Sequence, residues 1–163
     1  MNKIYLGIGS NLGDRLANIK TAIKELSSFL EIEKSSSIYE TSPWGYKKQP
    51  DFLNCVVYGK TSLKPLELLE KLQSVEKQLK KDPKKEKFGP RTIDMDILFY
   101  NDESIIFPNI VIPHPLLHLR KFVLVPMNEL NSGFIHPILK RTISVLLHDL
   151  KSDETCKEVK SDG

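Results

Sequence analysis

A single domain in which strands alternate with helices is what this sequence predicts. Short apolar and β-branched runs recur between apolar stripes at helical spacing. A chain of 163 residues, 40% hydrophobic and 28% charged, suits one core rather than two, and neither a linker nor an internal repeat divides it. At this length a compact fold buries roughly two-thirds of the surface its unfolded chain exposes, enough for a core and a sheltered site.

The first element is a buried strand over residues 3–9, followed by the turn and cap cluster Ser10-Asn11-Leu12-Gly13-Asp14. From Asp14 onward Leu16, Ile19, Ile23, Leu26 and Leu30 fall on one face of an amphipathic helix. Residues 31–40 read as extended. Residues 41–50 read as a long loop carrying Trp44 and Tyr46, because Pro43, Gly45 and Pro50 interrupt both ladders and helices. A strand over residues 52–58 comes next, and Pro65 then opens a helix whose buried stripe is Leu68, Leu69, Leu72, Val75 and Leu79. Residues 80–90 are basic, polar and broken by proline, the composition of a surface loop. The run from Thr92 to Tyr100 alternates as a strand, with a further hairpin or edge at Ile105-Ile106 and Ile110-Val111-Ile112. Helical segments are expected over 115–120, in the stretch ending at Leu130 and over 143–150. Residues 1–150 form the domain, and the charged tail 151–163, which lacks a core pattern, is expected to be loosely held.

Cys55 and Cys156 stand far apart with no CxxC pair and no Cys/His cluster, which argues against a disulfide framework or structural zinc. The N-terminus runs straight into a strand and no long apolar segment follows. The expectation is a cytoplasmic chain with neither leader nor membrane span. The net charge of +3 comes from lysines interspersed with acids, a pattern that favours a small anionic ligand over nucleic acid.

The residues with most chemistry are Asp94 and Asp96. Two positions apart in a strand, they share one face, about 7 Å apart along the chain. Paired anions are costly to shelter unless protons or cations neutralise them, and Mg²⁺ uses one or two carboxylates together with substrate phosphates. On a solvated edge strand the same pair carries no function, since so short a motif recurs by chance. Its company shifts the reading. Gly89-Pro90-Arg91 precedes the strand in a chain with only four arginines, the lysine-rich loop adjoins it, and His114 and Arg120 follow Pro113. Cations beside carboxylates are the equipment of phosphoryl transfer, although a surface ion pair would equally explain Arg120 and a structural role His114. There is no Walker A loop and no kinase glycine-rich loop, so an ATP user of this sequence needs another fold. The glycines of Gly7-Ile8-Gly9 either end a strand or let a flat ligand approach the backbone.

Five pieces, in order, resemble the 6-hydroxymethyl-7,8-dihydropterin pyrophosphokinase family: Gly7-Ile8-Gly9-Ser10-Asn11-Leu12-Gly13, Tyr39-Glu40-Thr41-Ser42-Pro43, Gln49-Pro50-Asp51-Phe52-Leu53-Asn54, residues 89–98 and Pro113-His114. The resemblance runs over about residues 3–150. It implies an α+β fold, a mainly antiparallel sheet of ferredoxin-like topology with helices on both faces. It also implies transfer of the terminal diphosphate of ATP to the hydroxymethyl group of a reduced pterin, leaving AMP, in folate synthesis. Asp94 and Asp96 would hold two Mg²⁺ ions, and Arg91 would steady the phosphates with His114 and Arg120. Gln73 and Glu76 would lie near the nucleotide and Ile97 would line the adenine pocket. Phe52 and Phe122 would sandwich the pterin, Asn54 would read its edge, and Gly7, Thr41, Pro43 and Trp44 would complete that pocket. Lys81 stands where many members carry a phosphate-directed arginine, and supplies a point charge without bidentate geometry. Pro83, Phe88 and Pro115 are further departures. The implied partners are small molecules, with no nucleic acid, no membrane and a monomeric chain. A ferredoxin-like RNA-binding module and a Mg²⁺-dependent nucleotidyltransferase are the alternatives; the latter would release pyrophosphate instead of AMP.

Overall fold

The protein is described here by a computed structural model covering residues 1–43, 48–80 and 92–159. Its elements follow in the order β1 (Asn2–Ser10), α1 (Arg15–Leu26), β2 (Glu31–Ser35), β3 (Ile38–Thr41), β4 (Phe52–Thr61), α2 (Pro65–Leu79), β5 (Asp94–Tyr100), β6 (Ile105–Phe107), β7 (Ile110–Ile112), a 3-10 turn (Leu117–Leu119), α3 (Lys121–Asn131), α4 (Ile143–Asp149) and β8 (Cys156–Val159). The architecture is mixed α+β. One antiparallel sheet has the order β5-β1-β4-β3-β8, with β2 beside β3 on the same flank of β4, and β6 and β7 form a separate hairpin.

Local chemistry accounts for the starts of the helices. Gly13 takes φ +68°, a conformation that favours glycine, and turns the chain so that Asp14 caps α1 by accepting the Ala17 N–H at 3.1 Å. Pro65 opens α2, where the Glu67 carboxylate accepts the Lys64 N–H at 2.9 Å.

Strand alternation then sorts the core into two. Ile4, Leu6 and Ile8 of β1, with Leu53, Cys55 and Val57 of β4, pack against Ile19, Ala22 and Leu26 of α1 and Leu68, Leu72 and Val75 of α2. The opposite parity places Tyr5 and Val56 in a second cluster with Val123, Leu124 and Met127 of α3 and Ile143 and Leu146 of α4. The β5 alternation predicted from sequence holds only in part. The β1–β5 register shifts after Ile97, so Leu98 and Phe99 both join the second cluster, as a bulge allows.

Two expectations need correction. Residues 115–120 form only a 3-10 turn at Leu117–Leu119, because Arg120 takes an extended backbone (φ −104°, ψ 100°) that separates the turn from α3. The tail is not simply loose: Cys156–Val159 adds a sixth strand to the sheet, pairing with Ile38–Thr41. It is held by backbone ladder bonds, which require no apolar pattern.

Candidate active site

On the second face of the sheet α3 and α4 pack against Tyr5, Val56, Leu98 and Phe99. Beyond Tyr5 the β1 residues on this face are Gly7 and Gly9, and the register sets Gly7 between Val56 and Asp96 and Gly9 between Asn54 and Asp94. The result is a strip of floor one strand wide, without side chains, flanked by carboxylates on one side and an amide on the other. Gly9 is required here, because a Cβ at that position would fall on Oδ1 of Asn54.

Over this floor lies a cavity of about 250 Å³, lined among others by Thr41, Ser42, Phe52, Asn54, Phe122 and Val123. Asn54 is 8% exposed, and its Nδ2 donates to Thr41 Oγ1 at 2.7 Å, which fixes the amide's orientation in the wall. A second cavity of about 210 Å³ adjoins the first, bounded by Leu69, Met95, Ile97 and the hairpin residues Asn109, Ile110 and Val111. The two share Asp96, Leu98, His114, Arg120 and Val123. Charged and protic groups therefore stand at the junction, with apolar surface to either side.

Electrostatics at the junction is coupled. Burial lowers the Arg120 pKa, while the Asp96 and Asp94 charges raise it in return. The guanidinium also lies 5.9 Å from the centre of the Phe122 ring, tying the junction to the first cavity. The His114 pKa is lowered by desolvation and then by Arg120. Its Nδ1 accepts the Leu116 N–H at 3.0 Å, so the neutral ring carries its proton on Nε2.

Most predicted site residues come together. Gly7, Thr41, Phe52, Asn54, Asp94 and Phe122 line the first cavity, Ile97 lines the second, and Asp96, His114 and Arg120 line both. Pro43 is buried beside the first cavity's Ser42 but is not among its lining residues. Gln73 is exposed on α2, and neither it nor Glu76 is among the residues lining either cavity. Glu76 instead reaches β5, where Oε2 accepts the Met95 N–H at 2.8 Å between the two aspartates. Trp44, Lys81 and Arg91, with Pro83 and Phe88, lie outside the described residues.

The sequence reading missed Ser42, Leu98 and the hairpin wall of the second cavity. Only the hairpin left a signal, two β-branched runs too short to build a core of their own. Among the described residues no helix is long and apolar enough to cross a membrane, and no group of three or more His, Cys, Asp or Glu converges.

The family model described as 7,8-dihydro-6-hydroxymethylpterin-pyrophosphokinase matches residues 5–132. The 2-amino-4-hydroxy-6-hydroxymethyldihydropteridine pyrophosphokinase of Aquifex aeolicus is 46% identical over 159 residues, covering 96% of this chain and 95% of its own. The Bacillus subtilis protein of the same name is 44% identical over 133 residues, 80% of this chain and 79% of that one. Among solved structures, wild-type Plasmodium falciparum HPPK-DHPS superposes with a TM-score of 0.75 at 19% identity, over 90% of this chain and 44% of that one. A strip of glycine floor between paired carboxylates and a fixed amide, at the junction of two cavities, thus sits within the matched residues, and the chain belongs to the 7,8-dihydro-6-hydroxymethylpterin-pyrophosphokinase family.

Proposed function

We propose that this chain transfers the diphosphate of ATP to the hydroxymethyl group of 6-hydroxymethyl-7,8-dihydropterin, forming the pterin diphosphate and AMP for folate synthesis. The observation that carries the proposal is the pair of adjoining cavities that share Asp96, His114 and Arg120. Two substrates bound side by side would meet at that shared wall, where charge develops on the transferring phosphoryl oxygens.

In this reading the first cavity takes the pterin. Phe52 and Phe122 supply ring faces for a flat heterocycle, Asn54 reads its polar edge, and Gly7 with Thr41 shapes the floor and rim. Pro43 and Trp44 extend the rim. The second cavity takes the nucleotide, with Ile97 against the base and Gln73 and Glu76 on the α2 side. At the junction neutral His114 donates from Nε2 to a phosphate oxygen, and Arg120 adds its charge. Arg91 and Lys81 contribute further cations toward the phosphates.

Two carboxylates on one strand face, both bordering the first cavity and both acting on Arg120, make a hard oxygen donor set that suits Mg²⁺ completed by substrate phosphates. Asp94 and Asp96 would hold two such ions. Bound there, Mg²⁺ supplies charge neutralisation of the phosphates and alignment of the attacking hydroxyl. The Asp96 and Asp94 charges offset part of the cost of burying Arg120, and the cavity walls limit water at the attacked phosphorus.

The fold reading that goes with this function is ferredoxin-like, three layers with helices on both faces of the sheet. It is supported by the succession β1-α1-β2/β3-β4-α2-β5 and the sheet order β5-β1-β4-β2/β3. The chain is taken to act as a monomer in the cytoplasm on small-molecule substrates.

The test is an assay of the protein with ATP, Mg²⁺ and 6-hydroxymethyl-7,8-dihydropterin in which AMP, ADP and pyrophosphate are separated. Pterin-dependent AMP is the expected product. Pyrophosphate would instead identify a nucleotidyltransferase, and folded protein without turnover that binds RNA would identify a binding module.

A further inference from the structure

We infer that the run leading into the C-terminal strand, through Thr155, is a positioning element of the first cavity; the inference rests on the pterin reading of that cavity. The family match ends at residue 132, yet the chain returns afterwards to the rim of the site. Thr155 and Ser42 exchange two hydrogen bonds: Ser42 N–H donates to Thr155 O at 3.2 Å, and Thr155 N–H donates to Ser42 Oγ at 3.0 Å. Ser42 lines the cavity, and Thr41 beside it pairs with Cys156 in the β3–β8 ladder. Thr41 in turn accepts the Asn54 Nδ2 bond. One short run of tail thus fixes the end of β3 and, through Thr41, the amide proposed to read the pterin.

The same run also holds the start of α3. Lys121 Nζ donates to Glu154 O at 3.2 Å, and Lys121 stands between Arg120 and Phe122, which both line the cavity. Residues 154–156 therefore strap the end of β3 to the start of α3, and none of them borders the nucleotide cavity. The strap's Ser42 end bears on the pterin cavity alone, while its Lys121 end adjoins Arg120, which lines both cavities. Thr155 acts through its backbone N–H and C=O, and the residue is exposed, so its type offers no sequence signal.

The test uses the full chain. Thr155→Pro removes the donor to Ser42 Oγ, and proline is tolerated at the entrance to an edge strand. Ser42→Ala removes the acceptor of the same bond. Each is expected to raise the KM for the pterin about 3- to 10-fold, the scale of one lost hydrogen bond. The ATP KM and kcat should stay within about twofold, and the double variant should be no worse than either single one, because both lose one interaction. Lys157→Ala, two residues on in β8 but outside these bonds, should leave all three constants unchanged. An unchanged pterin KM in folded Thr155→Pro and Ser42→Ala overturns the inference. So does a rise in both KM values together with a drop in melting temperature, or multiplicative effects in the double variant. Wild-type protein that makes no AMP with the pterin overturns the functional reading itself, and the strap's role with it.

Discussion

The two faces of the sheet use the same strands and come to opposite ends. On the α1 and α2 face, β1 contributes Ile4, Leu6 and Ile8, each 0–1% exposed, and every position is filled by packing. On the other face the same strand contributes Tyr5, then Gly7 and Gly9, and packing stops where the glycines begin. Parity alone separates the two sets, so a single strand both anchors the core and vacates a site. The proposed substrate site occupies the part of a sheet face where two successive positions of one strand have given up side-chain volume, whereas on the opposite face the β4 glycine Gly59 is closely covered by Leu30.

This contrast can be broken from either side. The largest effect is expected at the open face: Asp94→Ala and Asp96→Ala should each lower kcat by about 10²- to 10³-fold, the scale for removing one preorganised electrostatic partner of phosphoryl transfer. Their melting temperatures should stay near wild type, because Asp94 is only half-buried and Asp96 is exposed. Steady-state kinetics with thermal melts checks both halves. On the filled face Leu68→Ala, at a side chain 0% exposed, should cost about 2–5 kcal/mol of stability, while the KM for either substrate is unchanged; denaturant unfolding measures it.

Gly9→Ala lies on the boundary and should show both effects. The new methyl meets Asn54 Oδ1, so a destabilisation of about 1–3 kcal/mol should accompany a pterin KM raised about tenfold, the equivalent of about 1.4 kcal/mol. A stability loss without a KM change would mean that the glycine strip serves packing alone.

The smallest expected effect is on pH dependence, again confined to one side. His136 is 3% exposed, its Nδ1 accepts the Ile138 and Leu139 N–H groups at 3.2 and 3.0 Å, and burial, then His118, lowers its pKa below 6.5. Between 6.5 and the folded value the unfolded chain binds more protons than the folded one. Stability from this group is therefore present above pH 6.5 and is lost as pH falls through the folded pKa. His136→Asn, which keeps an acceptor, should flatten the acid limb of a melting-temperature profile.

Legibility from sequence followed the same division. The filled face was readable because its signal is periodic: the α1 and α2 stripes and the strands β1 and β4 lie where their apolar spacing puts them, although α1 ends at Leu26 so that Leu30 is buried from beyond the helix, and Leu16, Ile23, Leu69 and Leu79 are only half-buried. The cavity lining was readable in part, above all in Asp94 and Asp96, whose shared face follows from parity. Its frame was not. Nothing in Leu98 announces the bulge that sets it beside Phe99, and the reach of Glu76 from α2 to the Met95 N–H depends on how helix and sheet are juxtaposed. The tail was misread for a related reason: β8 is held through main-chain groups to β3, and main-chain bonds leave no mark in composition.

The most direct measurement follows the phosphorus. With ATP labelled at its β-phosphate, Mg²⁺ and 6-hydroxymethyl-7,8-dihydropterin, the label should leave the nucleotide entirely and appear on the pterin, with unlabelled AMP as the other product. Label retained in ADP beside a singly phosphorylated pterin, or label that never leaves ATP, would contradict transfer of a diphosphate at the junction of the two cavities.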